Sequence, residues 1–185
     1  MNNYTVLHLH SMFGNGGFVD STVKYSEYID RAVDIGMKAI AFTEHGNVFS
    51  WFKKKQYAEE KGLKYIHGIE AYITETLDDK VRDNYHCCLY AKNFEGFKEL
   101  NKLSSKSFKR DEENRYYYNP RITFDELINT SDNIIITTAC LGGILSKGND
   151  ILKDKFIKFL SKNNHRCFLE IQHHQDSHQK QYNEY

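Results

Sequence analysis

A chain of 185 residues, 40% hydrophobic and 27% charged, has the length and composition of one ordinary globular domain with a single sizeable core. Its 25 lysines and arginines balance its 25 aspartates and glutamates, so no net positive field supports tight autonomous binding to nucleic acid. No apolar run approaches the roughly 20 residues of a membrane span. The opening MNNYTVLHLHS lacks the basic start and apolar stretch of a signal peptide, so the cytoplasm is the expected compartment, with no membrane partner.

In chain order, strand-like runs fall at 5–9, 38–43, 64–73, 85–91, 133–138 and 166–172. Between the first two, Tyr25, Tyr28, Ile29, Ala32 and Val33 share a helical face that Gly36 ends. A second helix is expected over 50–61 with Gly62 as its stop, and others over 94–104 and 150–162. Thr123 followed by Glu126 has capping-box spacing. Two stretches, 75–84 and 106–120, read as loops or insertions. The second carries a tyrosine run, Tyr116 to Tyr118, that suits helix–loop packing or, alternatively, base stacking. Strands alternating with helices imply an α/β fold with a parallel sheet, open or closed into a barrel.

In such folds, side chains at the C-terminal ends of the strands face a common site. His10 follows the first strand, and Glu44 and His45 follow the second. Glu70 lies late in the third, Cys140 follows the fifth, and Glu170, His173 and His174 end the sixth. His8 and His10, two residues apart on a strand, project from one face and can hold one ion together. Buried imidazoles on a strand are expensive unless something binds them. Singly, each feature has an ordinary reading: a hydrogen-bonded core histidine, or a βα turn with glycine. Convergence of imidazoles, carboxylates and a thiol after successive strands points instead to a divalent transition-metal site. His86 fits less well, lying at the start of its strand rather than the end. His67 is out of phase with Glu70 and is expected on the opposite strand face, while His165 and His178 read as surface residues. Cys87, Cys88 and Cys167 lie in apolar runs and read as core; with no CxxC pair, an all-cysteine zinc site is not supported.

LHLHS at 7–11, FTEHGN at 42–47, GIEAYI at 68–73, HCCLYAKNFEGFKEL at 86–100, PRITFDEL at 120–127, TTACLGG at 137–143 and FLEIQHH at 168–174 resemble, in order and spacing, the PHP (polymerase and histidinol phosphatase) domain. The version they resemble most opens the bacterial DNA polymerase III alpha subunit. The resemblance implies a distorted (β/α)7 barrel with up to three divalent ions (zinc, manganese or iron, with magnesium a further candidate). It implies His8 and His10 as ligands of one ion, Asp20 and His45 as ligands of a second, Glu70 as a bridge, and His86 and Cys140 around a third. Glu70, His10 and His45 are then the residues expected to carry catalysis. Glu44 stands where the family more often has aspartate, and Glu44, Glu170 and His174 are expected to orient ligands from behind.

About six strands are visible where seven are expected, and the family's last D-x-H motif is not found. Residues 1–185 are accordingly read as the N-terminal portion of a PHP domain whose last motif lies further on, with the barrel incomplete. No palm-type acidic pair is present to polymerise DNA. The implied function is a phosphoesterase module in a replicative polymerase, a 3′–5′ exonuclease acting on DNA 3′ ends beside other replisome subunits. The alternatives are a silent docking domain and a free-standing phosphatase of the histidinol-phosphate type.

Overall fold

The computed structural model describes residues 4–14, 19–78, 80–112, 114–173 and 177–184. The elements are α1 (Tyr25–Asp34), β1 (Ala39–Phe42), α2 (Trp51–Glu60), β2 (Lys64–Thr74), β3 (Tyr85–Ala91), α3 (Phe94–Ser107), β4 (Tyr116–Tyr117), β5 (Asn119–Thr123), α4 (Phe124–Ile128), β6 (Ile134–Thr137), α5 (Ile144–Lys147), α6 (Asp150–Lys162), β7 (Cys167–Phe168) and α7 (Ser177–Glu184). Gly36 and Gly62, at φ +76° and +77°, end the first two helices as their positions suggested. The Thr123–Glu126 capping box forms in both directions.

The strands join in the order β4-β5-β2-β3-β6-β7, with β1 also paired to β2. Among the described residues the sheet is a partial barrel and is not closed. One apolar core lies between the sheet and α3, α4 and α6, built on Ile69, Ile73, Leu89, Leu100, Leu127, Ile134 and Phe156. A second joins α1, β1 and α2 through Ile29, Ile40, Phe42 and Ala58.

Several expectations need correction. The sheet is mixed, because β3 runs antiparallel to both β2 and β6. The connection from β2 to β3 carries no helix, and without a crossover element a strand returns antiparallel. The expected strand at 5–9 is an irregular extended segment. It receives bonds from Ala41 N–H to Val6 O and from Thr43 N–H to Leu9 O, three residues apart on one side and two on the other. Leu9 N–H goes to the Thr43 hydroxyl instead of continuing a ladder. The run at 166–172 keeps only the two residues of β7, since Glu170 N–H turns to the Thr138 hydroxyl.

The stretch 106–120 is not a bare loop. Tyr116 and Tyr117 pair antiparallel with β5, and two buried arginines hold the turn. Arg115 reaches Glu126 at 2.6 Å and Glu112 at 2.7 Å, while Arg121 Nε donates to Asn114 O at 2.9 Å. Tyr116 packs against Phe108 and under Arg110, as the packing reading requires; Tyr118 is exposed, with Arg82 stacked on it at 4.5 Å.

His67 faces α2 and α3, away from Glu70, between the rings of Trp51 and Phe97. Its Nε2 meets Asn101 and its Nδ1 meets the Tyr65 hydroxyl. Burial pushes its pKa down to about 4 from 6.5, with Lys54 adding to the effect against the Asn101 bond. Below pH 6.5 the unfolded chain therefore takes up a proton that the folded chain refuses until about pH 4. The stability from neutral His67 is whole above pH 6.5 and is lost as pH falls through that window. His67→Gln should flatten the fall in urea-unfolding stability between pH 7 and 4.5, by an amount on the order of 2 kcal/mol. A pH profile parallel to that of the parent would show that His67 is not the group responsible.

Candidate metal centre

The antiparallel course of β3 resolves the misfit of His86. The start of β3 lies at the edge where β1, β2 and β6 end, and Tyr72↔His86 is a register pair. Glu70 stands at the middle of this edge, 1% exposed. Its N–H donates to Glu44 O at 3.1 Å and its C=O accepts from Gly46 N–H at 2.7 Å, which sets His45 beside it. Gly46, at φ +65°, has room for no Cβ, because one would lie 2.7 Å from Pro120 and 2.8 Å from Tyr72. Gly142 is equally constrained: a Cβ there would sit 2.9 Å from His86 Nδ1.

The two oxygens of Glu70 divide the surrounding side chains. Oε1 lies 3.2 Å from His8 Nε2, 3.1 Å from His86 Nδ1 and 3.6 Å from Cys140 Sγ. Oε2 lies 2.7 Å from His45 Nδ1 and 3.3 Å from His10 Nε2. Cys140 Sγ is also 3.5 Å from His86 Nδ1. Asp20 Oδ2 holds the far nitrogen of His45 at 2.7 Å, and the rings of His10 and His45 stack with centroids 4.1 Å apart. Glu170 takes His8 Nδ1 at 2.6 Å and is itself fixed by Thr137 and Gln172.

Three triads could each hold an ion: His10–His45–Glu70, Glu70–His86–Cys140, and His8–Glu70–Cys88. His8 and His10 thus fall into different triads, although both reach Glu70. The residues fit metal ions on a second ground. Although Oε2 of Glu70 lies so close to His45 and His10, neither contact has hydrogen-bond geometry; among the described residues Oε2, His10 Nδ1 and His45 Nδ1 are buried with no hydrogen-bond partner. Such atoms are costly unless a cation takes their lone pairs. The N/O/S donor set is that of zinc and its transition-metal neighbours.

Electrostatics follow the same pattern. Burial alone would raise the Glu70 carboxyl, but the imidazoles of His45, His8 and His86 hold it below the ordinary carboxylate range. Burial lowers His10 to about 4, with the His45 charge assisting. For His86 burial works downward too, yet Cys140 and Glu70 prevail and raise it to about 9. His8 also moves upward, its contacts with Cys88, Glu170 and Glu70 outweighing burial. A cation entering here must displace protons from His8 and His86.

Glu44 does not touch a ligand imidazole. Fully buried, it accepts from the Ser11 N–H and hydroxyl, fixing the backbone just after His10, and pairs with Lys54 Nζ at 2.5 Å. His173 is exposed, and His174 lies outside the described residues. His165 and His178 are exposed as expected. Cys88 is core as expected, and sequence reasoning did not single out its approach to His8 and Glu70, nor Lys54, nor Tyr72, whose ring stands 6.0 Å from His45 and 5.3 Å from His86. Only Cys88 had a usable signal, its two-residue spacing from His86.

A mixed α/β fold with imidazoles, carboxylates and a thiol gathered around one buried glutamate has the make-up of a candidate site for divalent metal ions. The PHP domain family matches residues 7–174, and the chain belongs to that family. It is 36% identical over 179 residues to DNA polymerase III subunit alpha of Borreliella burgdorferi, a match covering 91% of this chain and 15% of that subunit. The same subunit of Aquifex aeolicus is 34% identical over 153 residues, 77% of this chain and 13% of the relative. The chain therefore spans about a seventh of the length of the curated relatives it matches. Among solved structures, an amidohydrolase from Chromobacterium violaceum is similar at TM-score 0.41 and 20% identity, over 56% of this chain and 33% of that one. A protein described as a metal-dependent phosphoesterase, from Bifidobacterium adolescentis, is similar at TM-score 0.38 and 18% identity, over 58% and 35%.

The Glu44–Lys54 pair ties the HxH segment to α2, with both partners about 1% exposed. Lys54→Met should cost about 3 kcal/mol in urea unfolding, because it strands a buried carboxylate. Adding Glu44→Gln should recover much of that loss. Equal stability of Lys54→Met and the parent would show that the pair does not anchor this segment.

Proposed function

We propose that this domain is a metal-dependent phosphoesterase acting on the 3′ end of DNA, a 3′–5′ exonuclease within a polymerase III alpha-type subunit. The observation that carries the reading is the sharing of one buried carboxylate, Glu70, by His8, His10, His45, His86 and Cys140. The matches to polymerase III alpha subunits, covering 91% and 77% of this chain, support DNA as the substrate, replisome subunits as neighbours and the cytoplasm as the compartment. Among the described residues no helix is long and apolar enough to cross a membrane.

Bound divalent ions, up to three of zinc, manganese or iron, would acidify a water near neutral pH and neutralise charge on the scissile phosphate. Glu70 would bridge them, being held ionised by its surroundings. His10 and His45, the latter oriented by Asp20, would serve one ion, and His86 with Cys140 another. Asp20 is the most open of these side chains, 39% exposed, and marks the side from which substrate enters. Tyr72 walls the opening beside His45 and His86.

A silent docking domain is the second reading, favoured by Phe168, Leu169 and Ile171, apolar and exposed along the last strand and its continuation. We also propose that the family's D-x-H motif lies beyond residue 185, so the assay uses the full polymerase-type chain. End-labelled single-stranded DNA with manganese or zinc should be shortened to a ladder from its 3′ end. Glu70→Gln and Cys140→Ala should each reduce the rate by at least about 100-fold, the scale of losing a group that stabilises developing charge. Histidinol phosphate should be a poor substrate. Release of phosphate from that ester alone would make the domain a small-molecule phosphatase, and no cleavage by the metallated protein would leave the docking reading.

A further inference from the structure

Along β3 the side chains alternate, so His86, Cys88 and Tyr90 share one face while Cys87 and Leu89 share the other. Cys87 and Leu89 pack into the main core, and the Cys87 thiol donates to Thr137 O at 3.3 Å. Cys88, wholly buried, packs with Ala41, Tyr90 and Ala139 and lies on the same face as Glu70. It is the register partner of Glu70 across the β2–β3 ladder. Glu70 has spent its own N–H and C=O on Glu44 and Gly46, on the other edge of β2. The Glu70–Cys88 pair is therefore of the non-hydrogen-bonded kind, in which side chains stand closest.

His8 completes the group. One donor atom of each of His8, Glu70 and Cys88 lies within 4.8 Å of the others. His8 Nδ1 is committed to Glu170 at 2.6 Å, and Glu170 is held by the Thr137 hydroxyl at 2.7 Å and Gln172 at 3.0 Å. That leaves Nε2, at 3.2 Å from Glu70 Oε1, to face the carboxylate and the thiol. An imidazole with a carboxylate behind its outer nitrogen is the usual posture of a metal-binding histidine.

We propose that Cys88 is a metal ligand, and that His8, Glu70 and Cys88 form an N/O/S site for a thiophilic divalent ion of the zinc class. On binding, the thiol gives up its proton to solvent and the thiolate bonds the ion. The inference rests on the metal-centre reading of the proposed function, and adds a second thiolate to the one from Cys140.

Cobalt(II) titrated into metal-free protein reads this directly. Thiolate-to-cobalt charge transfer absorbs in the near ultraviolet, with an intensity that follows the number of cobalt–sulfur bonds. Cys88→Ser and Cys140→Ser should each keep about half of the parent band, and the double variant none, with far-ultraviolet circular dichroism unchanged. Should Cys88→Ser fail to fold, Cys140→Ser decides alone, because Cys87 and Cys167 are buried in the core on the opposite face. A band surviving in Cys140→Ser supports Cys88 as a ligand. Loss of the whole band in Cys140→Ser overturns it while leaving the metal centre intact, and failure of the parent to bind cobalt overturns both.

Discussion

A carboxylate buried to 1% exposure with imidazoles close to both of its oxygens is a configuration that the rest of this chain is arranged to hold. Glu70 is held in place by its backbone, which bridges Glu44 and Gly46 and so brings His45 to its side. Lys54 neutralises Glu44, Glu44 ties down Ser11, and the HxH segment is thereby drawn over the sheet edge. On the opposite flank Glu170 reaches back to His8, so the extended segment beside β1 and the continuation of β7 meet through side chains. Among the described residues Glu70 Oε2, His10 Nδ1 and His45 Nδ1 are left with no hydrogen-bond partner. A cation answers that imbalance better than any rearrangement of the protein alone.

Topology makes the convergence possible. The long strand β2 carries β3 on one edge, with β1 and β5 successively on the other. Reversing β3 brings a strand start, rather than a strand end, to the functional edge. His86 can then join Glu70 and Cys140, and Gly142 leaves its ring the space it needs. The price is a sheet that is mixed rather than parallel.

Most of the site was legible because metal ligands are chemically conspicuous: histidines on apolar strands and carboxylates at strand ends have few other uses. The resemblance of seven ordered segments supplied Asp20, which spacing alone would not have. What escaped was set by tertiary placement. Cys88 looks like any core cysteine until its register with Glu70 is known. Lys54 and Glu44 sit ten residues apart in sequence and read as unrelated charges. The first strand was overread because its residues have strand character, while the Thr43 hydroxyl takes the bond that would have made it regular. Likewise the strand pair inside 106–120 depends on Arg115 and Arg121 finding buried acceptors, which no local pattern announces.

If Glu70 and its imidazoles form a cation site, thermal unfolding must respond to added zinc. A ligand that binds only the folded state stabilises it by RT ln(1 + [L]/Kd), so a hundredfold excess over Kd contributes about 2.7 kcal/mol. Zinc should raise the Tm of the parent by several degrees, a chelator should reverse the rise, and Glu70→Gln, which keeps the shape and removes the charge, should lose most of it. A parent Tm indifferent to zinc, or an equal rise in Glu70→Gln, would mean that Glu70 holds no cation.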